Sequence, residues 1–340
     1  MSARFRQVAV RLVISGAFIW LALRGISVNR VADDMGNATP AWFVGALALL
    51  GVSFTLGALR WRLLLRGQDI ALGVADAVRY TWIGLFFTNV LPTGFGGDAV
   101  RAWIVGRRNG RLPAVTASVL ADRLTALWAL VSVGALGVIL DGGALPGVVI
   151  VAALLSCAAV AVGSVLLLAH APARALSRAT ARWPRGSRAI EHVGTSLATY
   201  NGRRDLLAGA VAISFAAQAC TLIAAYMLAR SLGLHISIGL LATTIPVALL
   251  ATATPTNING LGIRETVFRA LLVPAGVAPA LAVAFSLTTV VAGAIVSLPG
   301  AVAWIALRHH RPAVSTVAQP ETVVSTTERQ PAPALSTPGP

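Results

Sequence analysis

Lysine is absent from this 340-residue chain, and all 27 cationic side chains are arginine. Charge of either sign is scarce: 11% of residues are ionised, against about a quarter in soluble domains. With 56% apolar residues and a mean hydropathy of +0.78, that shortage excludes a soluble globular domain and predicts an all-α polytopic integral membrane protein. Cysteine is limited to Cys157 and Cys220, both inside apolar runs, which excludes a disulfide framework and leaves two small packing residues. The five histidines (170, 192, 235, 309 and 310) have no ligand spacing, so neither a metal site nor a cofactor is expected. Net charge is +15, which in a soluble chain would suggest nucleic acid. No basic stripe interleaved with surface aromatics is present, and the arginines sit at the ends of apolar segments, where they meet anionic headgroups. No nucleic-acid partner is expected.

A spanning helix needs about 20 apolar residues. Six segments qualify, at 8–24, 41–65, 113–140, 145–169, 206–231 and 280–307. The first has no small-residue cleavage site and reads as a retained helix rather than a signal peptide. Two further apolar regions, 77–108 and 239–272, are broken in the middle. Each half holds about 12–16 residues, or about 18–24 Å of helix, too short for a core of about 30 Å. Re-entrant hairpins that enter and leave on one side fit better, and such backbone survives at depth only when surrounded by protein or a wet cavity.

With the N-terminus inside and both broken regions re-entrant, 19 arginines fall on the cytoplasmic side, among them Arg60, Arg62, Arg66, Arg79, Arg107, Arg108, Arg111, Arg203, Arg204 and Arg308. Three (Arg24, Arg30 and Arg230) fall outside, which is the asymmetry that sets orientation. The C-terminus is then also inside. Each half, about 1–140 and 145–307, reads as span, span, hairpin, span, with the hairpins entered from opposite sides, so the halves form an inverted repeat. Such repeats build alternating half-states around one site. The 1–310 region is thus one membrane domain. Residues 171–204 are expected as basic cytoplasmic surface helices against headgroups, and 311–340 as a disordered tail.

The breaks share a motif. Pro92-Thr93-x3-Gly97-x3-Arg101 recurs as Pro255-Thr256-x3-Gly260-x3-Arg264. Pro92 and Pro255 end the entering half-helix, since proline lacks an N–H and clashes one turn back. Gly96, Gly97, Gly260 and Gly262 allow tight turning and close backbone approach. The returning half-helix offers unpaired N–H groups and a positive dipole end. With Arg101 or Arg264, and hydroxyls from Thr93 and Thr256, this makes a site for a phosphate-like anion. Asp122-Arg123 lies about 13 Å into its apolar segment at helical rise. Charges there are expensive, so they should face inward and pair, Asp122 with Arg101 or Arg264. That pair is either functional or a purely structural lock. Asp98 either caps its half-helix or joins the site, and Glu265 follows the second set of glycines. Arg60, Arg62, Asp76 and Arg79 read as interfacial anchors.

The runs Pro92-Thr-Gly-Phe-Gly-Gly-Asp-Ala-Val-Arg-Ala and Asn259-Gly-Leu-Gly-Ile-Arg-Glu265, with Asp122-Arg123, resemble the transmembrane region of lysylphosphatidylglycerol synthases, which also occurs in free-standing flippase-like membrane proteins. The resemblance covers nearly all of 1–310. It implies a protein of a bacterial-type cytoplasmic membrane that moves a lipid with a polar headgroup between leaflets, with membrane lipids as its partners. No soluble aminoacyl-transferase domain follows residue 310, so that enzymatic activity is not expected. A membrane-embedded transferase on lipid-linked substrates is the competing expectation, but it lacks a His/Asp/Glu cluster. An accessory or scaffold protein of cell-envelope synthesis is another, but it would not need charges at membrane depth.

Overall fold

The computed structural model describes residues 35–36, 38–91, 96–140, 192–252 and 262–309. The expected segments 8–24 and 145–169, most of 171–204 and the tail lie outside these. Among the described residues every regular element is helical: α1 (Pro40–Gly67), α2 (Val74–Val90), α3 (Gly96–Asn109), α4 (Leu112–Leu140), α5 (Arg204–Ser231), α6 (Ile238–Thr252), α7 (Ile263–Leu272) and α8 (Pro279–His309). Helices α1, α4, α5 and α8 have 28–31 residues and are long and apolar enough to cross a membrane. These four correspond to expected spans. Their outward faces carry Val44, Val52, Leu136, Ile139, Leu298, Val302 and Ile305 in the open, a surface that only hydrocarbon solvates well.

Local sequence sets the helix ends. α1 starts with Pro40 in its first turn, where the missing N–H is no loss. It ends with Asp69 in the left-handed region at φ 54°, the amides of Asp69 and Ile70 folding back to the carbonyls of Arg66 and Leu65. Gly233, at φ 72°, ends α5 the same way.

The two broken regions fold as hairpins. The Arg108 guanidinium at the end of α3 reaches the Tyr80 hydroxyl at 2.8 Å and Asp76 at 3.5 Å near the start of α2, so the chain returns to the end it left. At the other side of this pair the helices nearly touch: a Cβ on Gly97 would lie 1.9 Å from the Gly84 carbonyl oxygen and 2.2 Å from Thr88 Oγ1. In the second pair, Leu271 and Leu272 at the end of α7 share a core with Leu240 and Leu241 at the start of α6.

The hairpins begin at opposite ends of the bundle. The first opens where α1 ends and α4 and α5 begin, an end tied together by Arg203 on Asp69 and rich in Arg62, Arg66, Arg107, Arg108, Arg111, Arg203, Arg204 and Arg308. The second opens where α5 ends and α1 begins, joined by Thr39 N–H on the Ser231 carbonyl. There Arg230 stacks on Trp42, while Trp103 and Trp304 carry Arg107 and Arg308 at the arginine-rich end. Packing is reciprocal. α1 lies against α5, α4 lies on α6 as α8 lies on α2, and α3 touches α4 as α7 touches α8. The seams are antiparallel and small-residue lined, with Gly134 and Gly137 against Pro246 and Thr243, and Gly300 against the Trp82 backbone.

The segment before α5 is tied into the bundle. Tyr200 is fully buried, packs on Gly67 and donates its hydroxyl to the Leu64 carbonyl at 2.7 Å, while the Gln68 amide donates to Ser196 and Thr199. The expected headgroup-facing helix is, over 192–202, a plug on the end of α1.

Gly97→Ala should lower stability by about 1–3 kcal/mol, the cost of overpacking two backbones, read as a fall in the melting temperature in detergent. Burial pushes the Tyr200 hydroxyl above its ordinary pKa of 10.0. Its contribution is therefore full below pH 10 and lost as pH rises towards the higher folded value. Tyr200→Phe should flatten that alkaline decline in a melting series.

Candidate functional site

Four helices converge on one chain of charges. Asp122, in mid-α4 and 3% exposed, accepts Arg60 Nε of α1 at 2.6 Å on one oxygen and Arg101 Nη2 of α3 at 2.8 Å on the other. Arg101, 5% exposed, also reaches Asp98 Oδ1 at 2.8 Å, and Arg123 Nε donates to the second oxygen of Asp98. Arg60 Nη1 continues to Ser214 of α5 at 3.0 Å. The Arg101 guanidinium lies over the Trp61 ring at 4.7 Å, and Trp61 in turn donates to Ser118 at 3.1 Å. Three cations and two carboxylates are thus linked without a gap, leaving one net positive charge. The side-chain exposure of Asp122, Arg101, Arg60 and Asp98 is 4%, 6%, 11% and 14%, whereas Arg123 is partly open at 43%.

Gly96 and Gly97 place this network. With no side chains in the first turn of α3, its backbone lies on α2, and Arg101, one turn on, passes beside Gly84 towards α1 and α4. Above the network towards the arginine-rich end, Leu64, Ala117, Ala121, Leu197, Tyr200 and Ala210 form an apolar layer.

The second motif differs. Gly262 sits at φ 87° and starts α7. Its N–H donates to Glu265 Oε2 at 2.6 Å, and Ser286 of α8 donates to Glu265 Oε1 at 3.2 Å, so both oxygens of this buried carboxylate are engaged. Arg264 is half-buried and has no hydrogen-bond or ion-pair partner among the described residues. Arg101 lies eight residues from the end of α3 and Arg264 eight from the end of α7, each about 12 Å from opposite ends of a bundle about 42 Å long. Helices α3 and α7 share no packed face among the described residues.

Pro92, Thr93, Pro255, Thr256 and Gly260 lie outside the described residues. Of the others, Gly96, Gly97, Asp98, Arg101, Asp122 and Arg123 come together, with Asp122 on Arg101 and not on Arg264. Gly262, Arg264 and Glu265 form a separate group. Arg60 is corrected: it is not an interfacial anchor but a buried ligand of Asp122. Its depth, about 10 Å from the end of α1, could have revealed it, since the same depth argument singled out Asp122. Asp98 does not simply cap its helix but bridges two arginines. Trp61, Ser214 and Ser286 carry no sequence signal, because their roles come from helices far apart in the chain.

An all-helical bundle with an apolar exterior and buried ionised groups defines the class, a polytopic membrane protein. Residues 8–300 match the family described as the lysylphosphatidylglycerol synthase TM region, and the chain belongs to that family. It is also similar to UPF0104 membrane protein PH1989 of Pyrococcus horikoshii, at 26% identity over 116 residues, which cover 33% of this chain and 35% of that protein. The match thus spans about a third of that relative's length.

Asp122→Asn should destabilise the protein by about 3–5 kcal/mol, because it leaves two buried guanidiniums facing a neutral amide. Adding Arg60→Met should restore part of the loss, so that the double-mutant cycle in thermal melts gives a non-additive coupling of about 0.5–3 kcal/mol.

Proposed function

We propose that this protein is a translocase that moves a lipid with an anionic phosphate headgroup, of phospholipid or polyprenyl-phosphate type, between the leaflets of the cytoplasmic membrane. The observation that carries the reading is the placement of fixed charge. Guanidiniums stand at depth on interrupted helices of a bundle whose outer surface is apolar, where a headgroup can find donors while its chains stay in lipid. The family supports the same direction.

The topology that goes with it has both termini inside, six spans including 8–24 and 145–169, and two re-entrant hairpins in inverted halves. Reciprocal packing of α1–α4 and α5–α8 supports this, as do hairpins opening from opposite ends and the crowding of arginine at one end. Alternation of the halves would carry the headgroup across. No soluble transferase chemistry is part of this reading, and proteins of cell-envelope synthesis are its natural neighbours.

Two experiments test it. Purified protein in liposomes with fluorescent phosphatidylglycerol or a polyprenyl-phosphate analogue should exchange the probe between leaflets faster than empty vesicles; equal rates would remove the reading. In a Cys157→Ser/Cys220→Ser background, Asn109→Cys should react with an impermeant maleimide only from the cytoplasmic side and His235→Cys only from outside. Both positions reacting from one side would overturn the inverted arrangement.

A further inference from the structure

We infer that Arg264 alone takes the headgroup phosphate, and that Arg101, its counterpart in the first motif, is a positioning residue that holds the first hairpin in place. The inference rests on the translocase reading above. The two arginines occupy equivalent places in repeated motifs yet stand in opposite electrostatic surroundings.

Arg101 is already held by two carboxylates through one terminal nitrogen, its buried Nε having no hydrogen-bond partner among the described residues. That terminal nitrogen serves Asp122 and Asp98, each at 2.8 Å, and Trp61 covers its face. Arg60 and Arg123 are bound to the same two carboxylates. A phosphate arriving there would meet two carboxylates already bound to the guanidinium and would be repelled by both. Arg264 faces none of this. The nearest carboxylate, Glu265, is its chain neighbour, about 100° away around the helix. Both Glu265 oxygens are engaged by the Gly262 N–H and the Ser286 hydroxyl. No carboxylate oxygen lies within 4.0 Å of Arg264 among the described residues. A half-buried guanidinium at membrane depth without a direct ion pair is costly. A phosphate, with oxygens spaced for its planar fork, is the anion that suits it.

The test uses the full-length protein in liposomes with photoactivatable phosphatidylglycerol and, as control, diacylglycerol with the same reactive acyl chain. Arg264→Gln should cut phosphatidylglycerol labelling by about tenfold or more, the worth of one charge-assisted hydrogen bond. It should leave diacylglycerol labelling unchanged and should not lower the melting temperature. Arg264→Lys should fold and recover only part of the labelling. Arg101→Gln should lower the melting temperature while folded protein labels normally, and Asp98→Asn added to it should raise the melting temperature again. Wild-type labelling in Arg264→Gln, or lost labelling in Arg101→Gln at an unchanged melting temperature, would overturn the assignment. Displacement of the lipid by inorganic phosphate would make free phosphate the ligand and overturn it too. If the labelling pattern holds but wild-type exchange matches empty vesicles, the translocase reading falls and the Arg264 assignment stands.

Discussion

A single carboxylate, Asp122, determines how the first half of this protein is arranged. With one arginine on each oxygen, it joins α1 and α3 to α4. Through Arg60 and Ser214 it extends to α5. In hydrocarbon an unpaired charge is prohibitive and water is not available as a substitute partner, so helices that carry these groups have few arrangements open to them. The hydrophobic effect does little to choose between helix pairings inside a bilayer, and polar contacts and close packing of small residues take over that task. Both devices are present: the ion chain fixes α1, α3, α4 and α5, and glycine seams fix α2 to α3, α4 to α6 and α8 to α2.

The repeated motif serves two ends with the same residue types. In the first copy Gly97 brings α3 onto α2, and Arg101 reaches across to two aspartates. In the second, Gly262 and Glu265 organise the start of α7 among themselves, and Arg264 is left outside that arrangement. The divergence follows from the acidic residues nearby. Asp98 lies one position after Gly97 and points into the cluster, whereas the second motif has Leu261 at the matching place and its acid, Glu265, one residue beyond the arginine.

Much of this was legible in the sequence. Length of apolar run identified α1, α4, α5 and α8, and the proline–glycine breaks separated α2 from α3 and α6 from α7. The depth of Asp122 within its segment marked it as a buried, paired charge. Its partner Arg101 was one of two expected candidates, with Arg264, because charges at that depth have to pair. Arg60 reads as an anchor because an arginine near a helix end ordinarily snorkels to the interface, although its depth of about 10 Å in α1 already argues for an inward partner. The Tyr200 plug escaped notice for a related reason. A basic segment with few long apolar runs looks peripheral, yet one aromatic ring is enough to anchor it once Gly67 leaves room. Trp61, Ser214 and Ser286 are contributed from across the bundle, and no local pattern announces them.

The absence of lysine bears on how such a protein is assembled. A lysine stranded in lipid can shed its proton and wait; a guanidinium stays ionised at any depth. Arg60 emerges from the ribosome 62 positions ahead of Asp122 and 154 ahead of Ser214. During that interval its charge must be sheltered by the translocon, by water or by headgroups. The amino-terminal half therefore cannot mature on its own schedule, and its final closure waits for α5 to arrive.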